Sequence, residues 1–237
     1  MNRIAIIFPK DSEALFNKNS KRTFGGASVQ LYLIAKYLKK YSDNVVYSLI
    51  PDYQSIDFDE EKYFTLVKTF KENDSLIKKV LCYHKIIKTI RPNIIIQRGL
   101  TFFSCLLSLY CKIFNIKFIF MFAHDIETHG RYQNSRKKCF LFPLLLKTLS
   151  VAVVQDEYEK YQLEKYYKNK SKIVLLKKGI DIDFFKQFRK IDFSKKQYDL
   201  IWIARCEKWK HPELFLSIAK KLNKNSFLMI CYLLKEI

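Results

Sequence analysis

Six short apolar runs recur along the first part of the chain: RIAIIF from Arg3, NVVYSLI from Asn44, NIIIQ from Asn93, KFIFMF from Lys117, VAVVQ from Val151 and KIVLLK from Lys172. Several are apolar at every position instead of at alternate ones. A strand covered on a single face alternates, whereas a parallel strand buried on both faces does not. Between the runs lie patterns of helical period, Ala27 to Lys40, Ser75 to Ile90, Leu100 to Phe114, Arg136 to Leu149 and Asp156 to Tyr167. Strand and helix in strict alternation predict an α/β fold, a Rossmann-like doubly wound domain with a parallel sheet.

The alternation stops after KKGIDIDFF. The stretch KQFRKIDFSKKQ is basic, lacks apolar periodicity and reads as a linker over residues 186–197. A second strand–helix–strand start follows in YDLIWIA, a helix from Pro212, and SFLMIC. The predicted organisation is a first domain over residues 1–185, the linker, and over 198–237 the partial start of a second Rossmann-like domain.

The formal net charge is +20, a balance suited to nucleic acid, an anionic membrane face or a phosphorylated ligand. Lysines are scattered over every helical pattern and do not alternate with exposed aromatics. With no zinc-finger spacing and no RNP-like run, nucleic acid ranks last and is not expected as a partner. The six cysteines (Cys82, Cys105, Cys111, Cys139, Cys206, Cys231) form no CxxC pair and mostly sit in apolar runs, which points to a reducing compartment. The amino-terminal MNRIAIIFPK is too short in its apolar part for a signal-peptide core. LTFFSCLLSLYC, cut by Lys112, falls short of the ~20 residues of a spanning helix. These features predict a cytoplasmic protein, with peripheral contact at the inner face of the membrane as a further location.

Four places could carry chemistry. Gly25 and Gly26 stand where a loop enters a helix. Paired glycines there admit close backbone approach by an anion, and equally make an ordinary turn. His124 and Asp125 end a buried strand, the end at which open parallel sheets bind ligands, although a polar loop residue is the plainer reading. His129, Arg131 and Tyr132 share that loop. Arg205 and Lys210 flank the turn after a later strand and suit a diphosphate, or are a solvated basic loop. His84 is read as surface, and Glu157, Glu159 and Glu164 as acidic residues favoured by a helix dipole.

Taken together, GGASVQLYLIAKYL, FAHDIE, SVAVVQDEYEKYQLEKYY with KIVLLKKGIDIDFF, and IWIARCEKWKHPELFLSIAKKL resemble, in order, segments of the GT-B-type retaining glycosyltransferases of the large family 4. The third segment is the most specific. In the last, Arg205 and Lys210 keep the family's five-residue separation. The resemblance implies two Rossmann-like domains, acceptor mainly on the first and donor mainly on the second. It places Gly25 and Gly26 near the donor diphosphate and His124 beside the transferred sugar, with Arg205 and Lys210 neutralising the departing nucleoside diphosphate. It implies a nucleotide-sugar donor, a glycan or lipid-linked acceptor in surface polysaccharide biosynthesis, and no metal or other cofactor. Departures occur at Ala204 and His211, where the family has glycine, at Lys178 for asparagine, and at Asp156 for serine. The family's glutamate-x7-glutamate segment has no counterpart in residues 223–237. The chain is therefore expected to be a truncated glycosyltransferase, weak or inactive as it stands. The alternative is a non-catalytic acceptor-binding half that pairs with a separate donor-domain chain.

SLIKKVLCYHKIIKTI has two readings. Leu76, Val80, Ile87 and Ile90 recur near helical spacing among lysines, which suits an anionic leaflet. An apolar side packed on the sheet is the preferred reading.

Overall fold

The computed structural model describes residues 1–53, 55–58, 61–128, 136–166, 172–186, 198–204, 208–222 and 226–230. The chain forms two compact units, Met1–Ile180 and Asp181–Ile237.

In the first unit, β1 (Arg3–Ile7) leads through the short α1 (Glu13–Phe16) to α2 (Gly26–Tyr41), then to β2 (Val45–Ile50) and β3 (Leu66–Lys68). The chain returns through α3 (Leu76–Ile90) to β4 (Ile94–Arg98), then α4 (Phe102–Ile113), β5 (Lys117–Met121), α5 (Asp125–Thr128) and α6 (Arg136–Thr148). The last elements are β6 (Val151–Val154), α7 (Glu157–Tyr166) and β7 (Ile173–Leu175). The strands form a seven-stranded sheet of order β3-β2-β1-β4-β5-β6-β7, every pairing parallel. The chain runs outward from β1 through β2 to β3, then crosses back to β4 on β1's other side, so the order reverses between β1 and β4. The six strands expected from the apolar runs are all present. β3, three residues at the edge, is the addition.

Successive strand residues point to opposite faces. On one face Ala5, Ile7, Ile95, Phe118 and Phe120 pack against Tyr83 and Ile87 of α3, Cys105, Leu107 and Cys111 of α4, Leu145 of α6 and Leu149 just past its end. On the other, Ile4, Ile6, Ile96, Met121 and Val153 meet Phe16 and Leu31 and Ala35 of α2. Two separate cores on two faces explain why these strands are apolar at every position. Phe16 is fully buried, with the rings of Phe8, Phe58 and Phe64 at 5.0, 5.3 and 5.5 Å.

Local chemistry sets the helix ends. Thr101 Oγ1 accepts from the Ser104 N–H at 3.1 Å while Ser104 Oγ accepts from the Thr101 N–H at 3.0 Å, a reciprocal cap that starts α4. Asp156 Oδ1 accepts the Glu159 N–H at 2.8 Å, so the residue that departs from the family's serine still caps α7. α3 ends at Arg91, left-handed at φ 46, whose N–H reaches Ile87 O at 2.9 Å before Pro92 prevents continuation.

The second unit holds α8 (Ile182–Lys186), β8 (Leu200–Ala204), α9 (Pro212–Leu222) and β9 (Ser226–Ile230), with β8 and β9 parallel from Leu200↔Ser226 to Ala204↔Ile230. Trp202 lies along the Phe215 ring at 6.4 Å, holding α9 to the strand pair. Of the expected linker only Lys186, the end of α8, is among the described residues.

Candidate functional site

All strands of the first unit run the same way, so every strand–helix loop of one kind opens on the sheet's carboxyl edge. Gly25 and Gly26 open α2 there, and His124 follows β5 by three residues. β1 and β5 are separated only by β4, which puts their ends about 10 Å apart at ordinary strand spacing. Open α/β sheets bind ligands beside such a reversal of strand order. His124 is exposed, and its carbonyl accepts the Glu127 N–H at 2.9 Å, so the backbone is fixed while the ring faces solvent. Glu127 ties the edge together: its carboxylate accepts from Leu100 N–H after β4 and from Ala123 N–H after β5, both at 2.8 Å.

The two glycines differ. The Gly25 N–H donates to Asp11 Oδ2 at 3.0 Å, and Ser28 Oγ donates to Asp11 Oδ1 at 2.7 Å. A Cβ on Gly25 would stand 3.0 Å from that carboxylate oxygen, whereas one on Gly26 would meet nothing within 4 Å. Gly25 therefore admits Asp11 to the start of α2, while nothing in the chain's own packing requires Gly26. No sequence pattern links Asp11 to a helix that begins so much later.

A cleft of about 760 Å³ adjoins this place, formed by the loops after β1, β2 and β3 and lined in part by Lys10, Arg22, Asp52, Tyr53, Lys68 and Glu72. Several of its charges are paired within the chain. Arg22 pairs with Glu72, and with Glu13 at 3.1 Å; Lys68 meets Asp52 at 3.3 Å. The Arg22 guanidinium holds the Glu72 carboxyl below its ordinary range. The buried Tyr53 hydroxyl meets Ser12 Oγ at 2.8 Å, and burial pushes its pKa far up, so it is neutral and can donate or accept. Neutral hydroxyls among paired charges suit a polyhydroxylated ligand better than a bare anion.

Arg98, at the end of β4, was not among the expected residues. It is 7% exposed, its Nη2 donates to Gln155 Oε1 at 2.7 Å, and its Nε has no hydrogen-bond partner among the described residues. Burial lowers its pKa, against which Glu159 and Glu127 act. Glu159 is itself buried, with its carboxyl raised first by that burial, and it accepts the Gln155 N–H at 2.7 Å. It is thus an interior residue that fixes the end of β6, not merely an acidic residue answering a dipole. The signal for Arg98 was present: a charged residue closing an apolar strand just before a glycine of positive φ, Gly99 at 82°. His84, read as surface, is half-buried with Nδ1 3.0 Å from the Tyr110 hydroxyl.

Lys210 belongs to the second unit, exposed in the turn before α9. Arg205, His129, Arg131 and Tyr132 lie outside the described residues. His211, where the resemblance leads one to expect glycine, is left-handed at φ 51, so the backbone keeps the glycine-like shape. Among the described residues no group of three or more His, Cys, Asp or Glu is placed to hold a metal ion, and no helix is long and apolar enough to cross a membrane.

No family model matches the sequence, and no curated protein matches it. Solved structures do match. HepE of Anabaena, in complex with UDP and glucose, superposes with a TM-score of 0.66 at 11% identity, over 97% of this chain and 60% of that one. The UDP-GlcNAc 2-epimerase of Neisseria meningitidis, bound to UDP-GlcNAc, gives 0.56 at 14% identity, over 97% of this chain and 66% of that one. The UDP-GlcNAc 2-epimerase of Methanocaldococcus jannaschii gives 0.57 at 14% identity, with the same coverage. The chain spans less than two thirds of the length of these structures. At such identities the likeness establishes the fold, a Rossmann-like arrangement of GT-B type.

Proposed function

We propose that this chain is the acceptor-side part of a GT-B-type retaining glycosyltransferase of family 4, acting on a nucleotide-sugar donor and a glycan or lipid-linked acceptor in surface polysaccharide biosynthesis. The observation that supports the reading is that the loops bearing Gly25, Gly26 and His124, and those forming the polar cleft, follow strands on one edge of the sheet, beside the reversal of strand order. HepE, crystallised with UDP and glucose, supports a nucleotide-sugar ligand for the fold. In this reading the acceptor's hydroxyls lie in the cleft against Tyr53, and His124 hydrogen-bonds the sugar as it is transferred. The α2 start meets the diphosphate, and Arg205 and Lys210 neutralise the leaving group, so no metal is required. Contact with an anionic membrane would serve a lipid-linked acceptor.

A second reading, epimerisation of a UDP-sugar, is favoured by the neighbours described as UDP-GlcNAc 2-epimerases. A third, a non-catalytic half completed by a separate chain, is favoured by exposed Ile201 and Ile203 on β8, apolar groups that call for cover. Proton NMR of UDP-glucose and UDP-GlcNAc incubated with the protein, with and without a membrane glycolipid fraction and with and without EDTA, separates them. Transfer predicts UDP release that needs the acceptor fraction and tolerates EDTA. A new sugar epimer without acceptor supports the second reading. No turnover by the chain alone, with turnover restored by a separate donor-domain chain, supports the third. UDP-sugars that neither bind nor react, with no turnover restored by such a chain, contradict all three.

A further inference from the structure

Between Asp74 and Asp125 the chain carries no acidic residue, against eight Lys and Arg. This stretch contains α3 and α4, which lie side by side: His84 Nδ1 meets the Tyr110 hydroxyl at 3.0 Å, and the Tyr83 and Phe103 rings are 4.7 Å apart. α4 is apolar on both sides. Its inner face buries Cys105, Leu107 and Cys111 along with Ser104 and Ser108, the last bonded at 2.7 Å to Thr148, while Phe102, Leu109 and Ile113 are exposed on the outer side. Those three are spaced by seven and four, so they form one outward stripe. Phe114, just past the helix end with its ring 4.4 Å from that of Tyr110, is exposed too, and α3 adds Ile77 and Leu81, one turn apart and also exposed. Of the four α3 residues expected to pack on the sheet, Ile87 and Ile90 do so, with Tyr83, whereas Leu76 and Val80 are exposed. A surface helix of a soluble domain shows water its polar side. Here the outer faces of two adjacent helices are apolar, with Lys78, Lys85, Lys88 and Lys112 exposed among them.

We propose that the outer faces of α3 and α4 form a peripheral docking surface for an anionic lipid bilayer, the apolar stripe entering the headgroup region and the lysines meeting lipid charge. A second copy of the chain is the poorer occupant. A two-fold contact would set this acid-free surface against itself, and like charges facing one another oppose association. The proposal deepens the function above by giving the lipid-linked acceptor's membrane a place to sit. It rests on that reading only for its purpose, because the test needs neither donor nor acceptor.

The test is flotation of the full chain with vesicles of phosphatidylcholine alone or with added phosphatidylglycerol, at low and high salt. The expected result is binding to the anionic vesicles alone, weakened by salt. Each cation near the surface contributes about fivefold in partitioning, so K85Q/K88Q/K112Q should lower it on the order of 100-fold. I77S/I113S should lower it at least about tenfold at every salt concentration. All five side chains are exposed, and circular dichroism verifies the fold of each variant. No binding to anionic vesicles, or binding unchanged in both folded variants, overturns the proposal. So does a dimer in sedimentation velocity that the same substitutions dissolve. UDP-sugar turnover without vesicle binding would overturn the docking surface and leave the proposed function standing; vesicle binding with neither binding nor turnover of a UDP-sugar would do the reverse.

Discussion

Adjacent glycines at a helix start look equivalent in a sequence, yet Gly25→Ala and Gly26→Ala should shift stability in opposite directions. The new Cβ at residue 25 would stand 3.0 Å from Asp11 Oδ2, so the carboxylate must give by a few tenths of an ångström, and complete loss of its bonds to the Gly25 N–H and the Ser28 hydroxyl sets the upper limit of the cost. Losing a capping acceptor costs about 1 kcal/mol, and losing a carboxylate from a helix amino terminus a further ~0.3–1 kcal/mol. Removing a glycine from the unfolded chain returns ~0.4–1 kcal/mol. The net for Gly25→Ala is a loss of up to about 1 kcal/mol, or a Tm lower by up to ~2–4 °C for a domain of this size. Gly26→Ala meets nothing within 4 Å and keeps only the gain, a Tm higher by about 1–3 °C. Thermal and urea unfolding of the two variants, repeated in an Asp11→Ala background, forms a double-mutant cycle. With the carboxylate gone, Gly25→Ala should become neutral or stabilising. An equal loss in both backgrounds would show that Asp11 is not why residue 25 is glycine.

His211→Gly should relieve a left-handed residue costing roughly 1–2 kcal/mol, less the ~0.5–1 kcal/mol of glycine's added freedom, and so slow amide exchange in α9. His211→Val should speed it. His124→Ala should leave Tm within about 1 °C, as an exposed residue does, while lowering sugar transfer at least ~100-fold in a form completed with a donor domain. Burial pushes the Cys105 thiol up to about 11 and the Cys111 thiol to about 12. At pH 8 both should resist thiol reagents in the native protein and react once urea unfolds it, read by peptide mass spectrometry. Because these folded-state values lie above the ordinary thiol value of 9.0, the fold should hold its stability below that pH and lose it as pH rises toward 12.

The strands and their parallel direction could be read from the sequence because burial on both faces leaves an unbroken apolar run, as in Asn93–Gln97 and Lys117–Phe122. β3 could not. Three residues at a sheet edge give no periodicity, and TLVKTF is half polar. Helix caps within four residues of their targets, such as Thr101 and Asp156, lie within reach of local patterns. Asp11 reaching Gly25 depends on how the connection after β1 folds back on itself, and Arg98 reaching Gln155 on the order of β4, β5 and β6 in the sheet. α4 misleads any reading by amphipathicity, because Leu107 faces inward beside two buried serines while Phe102, Leu109 and Ile113 face outward. An apolar outer face becomes informative once exposure is known.

In the proposed function the carboxyl edge around Gly25, Gly26 and His124 is where a nucleotide-sugar reacts. Hydrogen exchange of the full chain, with and without saturating UDP-glucose or UDP-GlcNAc, tests that placement. Exchange should slow at the start of α2 and in the turn from Ala123 to Asp125, and by less in His124→Ala for the second of these. Protection elsewhere with neither segment changed would contradict it.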